Sequence, residues 1–254
     1  MHFINEVWAY LTDGANWTGS TGFPTLFYRQ FILSLAVIIG AVLIGGCIGL
    51  VLGHTGRGSL VAVNAANAFR AVPSLALLTI LAIVPAISLK WGGFLAAFIA
   101  LLVLAVPPIL TNTYVGIREV DADVRDAATA MGLTGSQVLR RVELPLALPF
   151  IVAGIRTAAI EVVATSTLAA YVSYSDLGTP LLAGLSVNNA VEATSASLMI
   201  IVLAALFAIG IGLIQRVVTP RALRTKRRGG NFLVSGPIGK VASPTAEDAL
   251  AAST

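Results

Sequence analysis

A chain of 254 residues, 57% of them hydrophobic and only 11% charged, is too apolar for a soluble domain. Its apolar runs are long rather than alternating, which favours helices over a barrel because backbone polar groups inside lipid must be satisfied within the segment. The formal charge of +4 is modest, and its placement along the chain reads as membrane topology rather than nucleic-acid binding.

Residues 1–29 are mixed and aromatic, with Trp8, Tyr10, Trp17, Phe23 and Tyr28, and lack the basic region and small-residue cleavage site of a signal peptide. They read as an extracytoplasmic, interfacial N-terminal segment. A transmembrane domain is expected over 30–218, all-α and polytopic, with about five spans. The first covers about 30–53. Gly45, Gly49 and Gly53 form a GxxxGxxxG series on one of its faces and predict close helix packing. Cys47, the single cysteine, excludes an internal disulfide and reads as a small packing residue. The second span starts weakly, with Asn64 and Asn67 before Arg70, and becomes strongly apolar over 73–89. The third covers about 92–115, where Pro107-Pro108 should kink or unwind it. A polar stretch, 118–143, precedes a fourth span over about 145–170. The fifth covers about 196–218, and the basic, Gly/Pro/Ser-containing residues 219–254 read as a disordered cytoplasmic tail.

Of the sixteen Lys and Arg, twelve fall on one side of this arrangement: Arg57, Arg118, Arg125, Arg140, Arg141, Arg216, Arg221, Arg224, Lys226, Arg227, Arg228 and Lys240. Arg29 and Lys90 fall opposite. The positive-inside rule then puts the N-terminus outside and the C-terminus in the cytoplasm. It also makes 118–143 a cytoplasmic loop.

Within that loop Asp121 is a suitable N-cap, acids occupy the first helical turn, and Gly132 suits a C′ position. Val124, Ala127, Ala128 and Met131 recur at i, i+3, i+4 and i+7, giving one apolar face of mostly small side chains. Thr134 and Gln137 have capping-box spacing and predict a second short helix reaching Arg141, with Pro145 admitting the next span. On these features alone, two amphipathic turns lying on the bilayer are the competing reading.

The same residues resemble a known family. Asp126-Ala127-Ala128, then Gly132, then Val142-Glu143-Leu144-Pro145 is similar to the EAA motif of permease subunits in binding-protein-dependent ABC importers, with Asp for the usual Glu and Val for Ile. Phe69-Arg70-Ala-Val-Pro73-Ser74-Leu75-Ala76, Gly154-Ile155-Arg156-Thr157-Ala158 and Ala164-Thr165-Ser166-Thr167-Leu168-Ala169-Ala170 resemble the branch that carries quaternary-amine osmoprotectants: glycine betaine, carnitine, choline and proline betaine. The likeness covers about 31–218 and departs after Ala170, where Tyr171 to Asp176 replace a glycine-rich turn.

The resemblance implies a type I ABC importer permease fold that forms half of a translocation pore in a bacterial inner membrane. It implies four kinds of neighbour: an ATP-binding subunit in two copies, an extracytoplasmic substrate-binding protein, a second permease of the same or a homologous chain, and membrane lipid. Asp126, Ala127, Ala128, Met131, Gly132, Leu144 and Pro145 would then dock the ATPase. No GxxxxGK[ST] phosphate loop occurs in the chain, so nucleotide is expected on the partner.

Arg70, Pro73, Arg156, Glu161 and Thr165 are candidates for the translocation path. Arg70 and Arg156 sit near span ends, where snorkelling to headgroups is the plainer role; the sharper one is to hold the inward mouth of the pore by pairing with Glu143 or the acids of the 118–143 loop. Glu161 lies roughly 7 to 8 Å deeper than Arg156 by helix rise. It shares a face with Thr157 and Thr165, and a carboxylate there either lines the path or hydrogen-bonds across helices. Tyr171 and Tyr174 read as interface anchors rather than a cation–π cage. The competing functions are transport of another small solute such as an amino acid and, outside transport, a membrane scaffold or intramembrane enzyme. No GxSxG, HExxH or paired intramembrane Asp pattern supports an enzyme, and His2 and His54 are expected outside the spans. No metal, cofactor or nucleic-acid partner is expected.

Overall fold

The computed structural model of the chain describes residues 2–56, 64, 68, 74–84 and 93–218, and every regular element among them is helical. Helix α1 (His2–Thr12) is followed by a single 3₁₀ turn, Gly14–Trp17. Four helices are long and apolar enough to cross a membrane: α2 (Phe23–Thr55), α4 (Phe94–Arg118), α6 (Gly135–Val172) and α8 (Ala190–Val218). The shorter ones are α3 (Ser74–Ile83), α5 (Ala122–Ala130) and α7 (Gly178–Ser186).

Contacts at the helix ends fix the direction of each crossing. His54, in the last turn of α2, meets Glu143 near the start of α6, and a Cβ on Gly56 would stand 3.2 Å from the guanidinium of Arg118 at the end of α4. The end of α8 joins them, since the Gln215 amide donates to the Pro149 carbonyl of α6 at 3.1 Å. Hence α2, α4 and α8 finish, and α6 begins, at one end of the bundle. At the other end the start of α4 touches the last residue of α6 and the chain just after it, where a Cβ on Gly93 would overlap Val172 and Tyr174. Helices α2 and α4 are thus parallel, and α3 is the described helix between them in the chain. The expected second span therefore falls largely outside the described residues, as do Arg70, Pro73 and the tail.

The glycine series explains how closely α2 and α4 pack. A Cβ on Gly45 would stand 2.8 Å from the Val106 carbonyl oxygen, on Gly49 2.8 Å from that of Leu110, and on Gly53 2.7 Å from the Ile117 Cβ. Expected packing through this face is thus observed, and its partner is α4. A π-turn at Val42–Gly46 keeps Gly45, Gly46, Gly49 and Gly53 turned inward. Cys47 consequently faces away from the bundle and is exposed, not a packing residue. Around this seam, Leu33, Val37 and Ala41 of α2 pack on Ala97, Leu101 and Ala105 of α4 and on Ala158 and Val162 of α6. A second cluster joins Phe23, Leu26 and Ile38 to Ala159, Val163, Leu203 and Phe207, bringing in α8.

Several boundaries differ from the sequence expectation. Pro24 sits in the first turn of α2 behind an extended Gly22, so the helix begins at Phe23 rather than near residue 30. His54 lies inside that helix, in its last turn, rather than beyond it. Helix α4 runs through Pro107-Pro108 without a break, both prolines buried. The short helix from Gly135 does not stop at Arg141: a π-turn, Leu139–Glu143, carries it into the span, so Pro145 lies within α6 rather than at a separate start. Helix α7 is new. Asp176 accepts from the Gly178 N–H at 2.8 Å and Pro180 lies in the first turn, an acid-then-proline start signal present in the sequence.

Candidate functional site

The loop between α4 and α6 is built as the residue pattern requires. The Asp121 carboxylate accepts from the Asp123 N–H at 3.0 Å and starts α5. Gly132, at φ 87°, ends it in a Schellman motif: its N–H donates to Thr129 O at 2.9 Å and that of Leu133 to Ala128 O at 3.2 Å. Both bonds of the expected capping box form, with the Thr134 N–H donating to the Gln137 Oε1 at 2.8 Å.

The faces of α5 divide more narrowly than its sequence suggests. Val124, Ala127 and Met131 are uncovered, Met131 at 76% exposure. Ala128 turns the other way and is 2% exposed, which removes it from the outer face: it is the α5 residue that seats this helix on the rest of the bundle. Asp126 and Gly132 are exposed. Leu144 and Pro145 are half-buried within α6, so they belong to the base of the span rather than to α5.

Beneath α5 lies the Glu143 carboxylate, 2% exposed, with His54 Nδ1 2.7 Å from Oε2 and Arg125 Nη1 3.8 Å from Oε1. These partners, not Arg156, pair with Glu143 among the described residues, and Arg70 lies outside them. Arg156 instead is exposed on α6, beside Gly212 of α8. On α6, Thr157 is exposed while Glu161 and Thr165 are half-buried, so this polar stripe is only partly covered.

At the opposite end Gln30 is fully buried. Its amide donates to Val163 O at 3.1 Å and Ser166 Oγ at 2.9 Å, and its carbonyl accepts from the Leu177 N–H at 3.2 Å, joining α2, α6 and the segment leading into α7. The Tyr174 hydroxyl donates to Arg29 O at 3.0 Å and its ring lies 5.7 Å from Phe94. Burial pushes that phenol up to about 12. Nothing in the local pattern around Gln30 announces this cross-link, because its partners are far away in sequence. No group of three or more His, Cys, Asp or Glu that could hold a metal occurs among the described residues.

Comparison with known proteins places this bundle in a family. Residues 41–224 match the family described as binding-protein-dependent transport system inner membrane component. The chain belongs to this family. The permease is 30% identical over 203 residues to the carnitine transport permease protein OpuCB of Listeria monocytogenes, covering 80% of this chain and 91% of that protein. It is 32% identical to the choline transport system permease protein OpuBB of Bacillus subtilis, over 78% and 88% of the two chains. With the osmoprotectant import permease protein OsmW of Salmonella typhimurium it shares 32% identity over 85% and 98%. In three dimensions it resembles an inward-facing form of the MetNI methionine ABC transporter, with TM-score 0.68 and 25% identity over 78% of this chain and 96% of that one. An amino acid ABC transporter shares the fold at TM-score 0.63 and 20% identity, over 85% and 98%. The permease is a multi-pass membrane protein with the type I ABC importer fold, a transport component.

Proposed function

We propose that this permease forms half of the pore of an ATP-driven importer of quaternary-amine osmoprotectants such as glycine betaine, carnitine, choline and proline betaine, and that α5 docks a separate ATP-hydrolysing subunit. The observation that carries the coupling part is the uncovered apolar stripe Val124, Ala127, Met131 on a helix capped at both ends. Such a stripe has the shape of a helix-in-groove anchor. Asp126 and Gly132 flank it, and Leu144 and Pro145, in the base of α6, complete the proposed docking set. The cargo is inferred from the relatives, whose names specify carnitine, choline and osmoprotectants.

In this reading two ATPase copies act on two permeases, an extracytoplasmic binding protein delivers the cargo, the N-terminus lies outside and residues 219–254 lie in the cytoplasm. The gathering of Arg118, Arg125, Arg140, Arg141 and Arg216 around the end that carries α5 supports that orientation.

The test is osmolality-dependent uptake of labelled glycine betaine in cells lacking other carriers, with the chain present, deleted, or carrying Gly132→Asp. At φ 87° a side chain is strained, and a carboxylate there opposes the α5 C-terminal dipole. Uptake should vanish on deletion and fall at least about tenfold in the variant at unchanged membrane abundance. Unchanged uptake on deletion removes glycine betaine from the assignment. An amino acid cargo is the second reading, favoured by the likeness to the methionine transporter, and competition by unlabelled methionine would reveal it.

A further inference from the structure

Helix α5 has nine residues, and Ala128 is its one buried residue. A helix that short is not stable alone in water, so its position depends on what ties it down. Besides its caps, it is held by Arg125. That guanidinium uses Nη2 to donate to Val120 O at 3.0 Å and places Nη1 3.8 Å from Glu143 Oε1. Glu143 comes from the π-turn of α6, where the additional residue per turn swings its side chain inward. The other carboxylate oxygen is taken by His54, from the last turn of α2, at 2.7 Å. Because a carboxylate offers no proton, His54 Nδ1 is the donor.

Three elements thus converge on one carboxylate removed from water. A buried charge is costly unless paired, so none of the elements can leave without exposing the other two to that cost. We propose that His54, Arg125 and Glu143 are positioning residues that make α5 move as one body with the adjoining ends of α2 and α6, so that a displacement of α5 reaches two spans at once. The inference rests on the reading of α5 as the docking helix. It adds three residues outside that docking surface and assigns them the transmission step.

The test uses the permease in its complete complex, reconstituted with its ATPase and binding protein, in wild-type form and as Glu143→Ala, His54→Ala, His54→Asn and the double alanine variant. Asn places an amide donor near the Nδ1 position, so it separates loss of the hydrogen bond from loss of the ring. Uptake and ATP hydrolysis are measured in the same vesicles, and hydrogen exchange follows the amides of residues 122–130. Either single alanine variant should lower uptake per ATP hydrolysed by at least about tenfold while hydrolysis continues. It should also speed exchange in α5 by at least about tenfold without changing the core of α4. His54→Asn should restore most of both, and the double variant should be no worse than the poorer single one. Unchanged α5 exchange or unchanged uptake per ATP in Glu143→Ala overturns the proposal, as does general loosening of α4. Absence of ATP-driven uptake in the wild-type complex would instead overturn the transport reading, and the exchange data would still decide whether these residues hold α5.

Discussion

Asp176 carries a buried carboxylate in the short segment between α6 and α7. One oxygen accepts from the Gly178 N–H at 2.8 Å, while the other has no partner among the described residues. Burial pushes its pKa from 3.8 up to about 7, the Gly178 bond working against that rise. Between those two values the folded chain holds a proton that the unfolded chain has released, so stability falls as pH rises through this window. The contribution is fully present below 3.8 and gone above about 7, a total of about 4 kcal/mol by linkage. Asp176→Asn, neutral throughout, should flatten this dependence and raise the unfolding midpoint in detergent above pH 7. A wild-type midpoint that rises between pH 5 and 7 while the Asn variant stays flat would contradict the sign. The sequence offered Asp176 only as part of a departure from the family pattern. What makes it unusual is the packing of the chain behind it, where a Cβ on Gly178 would overlap the Thr167 carbonyl.

At the level of helices, the α2–α4 seam tolerates almost no added volume. Gly49 faces both the Leu110 carbonyl and the Thr113 Cβ at 2.8 Å from a would-be Cβ, and those atoms belong to backbone or to a branched side chain with little room to withdraw. Gly49→Val should destabilise the chain by about 1–3 kcal/mol or more, read as a lower unfolding midpoint in detergent, whereas Gly210→Val should be nearly silent. A Cβ at Gly210 meets nothing within 4 Å.

This seam was legible in the sequence because a four-residue repeat of glycine is a local signal. So were the two ends of α5, since caps are written within a few residues of the turn they close. The beginnings of α2 and α6 were less legible because apolarity marks where lipid begins rather than where a helix does. Phe23 to Arg29 and Gly135 to Leu144 are helical beyond the apolar stretch. The π-turn that carries Glu143 was not legible, because its extra residue leaves no trace in a 3.6-residue repeat.

For the whole molecule, what remains uncovered matters as much as what is packed. Leu198, Ile201, Val202, Leu206, Ile209, Leu213 and Val217 of α8 point away from the bundle, as do Ile39, Leu43 and Val51 of α2. These surfaces suit lipid or a second permease. The Thr157, Glu161, Thr165 stripe lies on α6 between them in character, polar and incompletely covered. If it lines the path, Glu161→Gln should lower uptake by at least about fivefold while the complex assembles normally. Unchanged uptake in reconstituted vesicles would leave this residue a structural role. The four long apolar crossings among the described residues were readable from the length of the apolar runs. The polar cross-link at Gln30 was not, because it depends on α6 and the α7 lead-in arriving at the same depth.

The continuity of α6 has a mechanical consequence. From Gly135 to Val172 it is one helical run of 38 residues, about 57 Å from end to end at 1.5 Å per residue. Its first turn stands beside α5 and its last reaches the tightly packed region around Tyr174 and Gly178. Swung as a rigid lever about its foot, a rod of that length converts a tilt of 5° into a sweep of about 5 Å at its far tip. A shift at its base smaller than a side chain's width is therefore enough, pivoted nearby, to open or close a passage for a small solute at the other face.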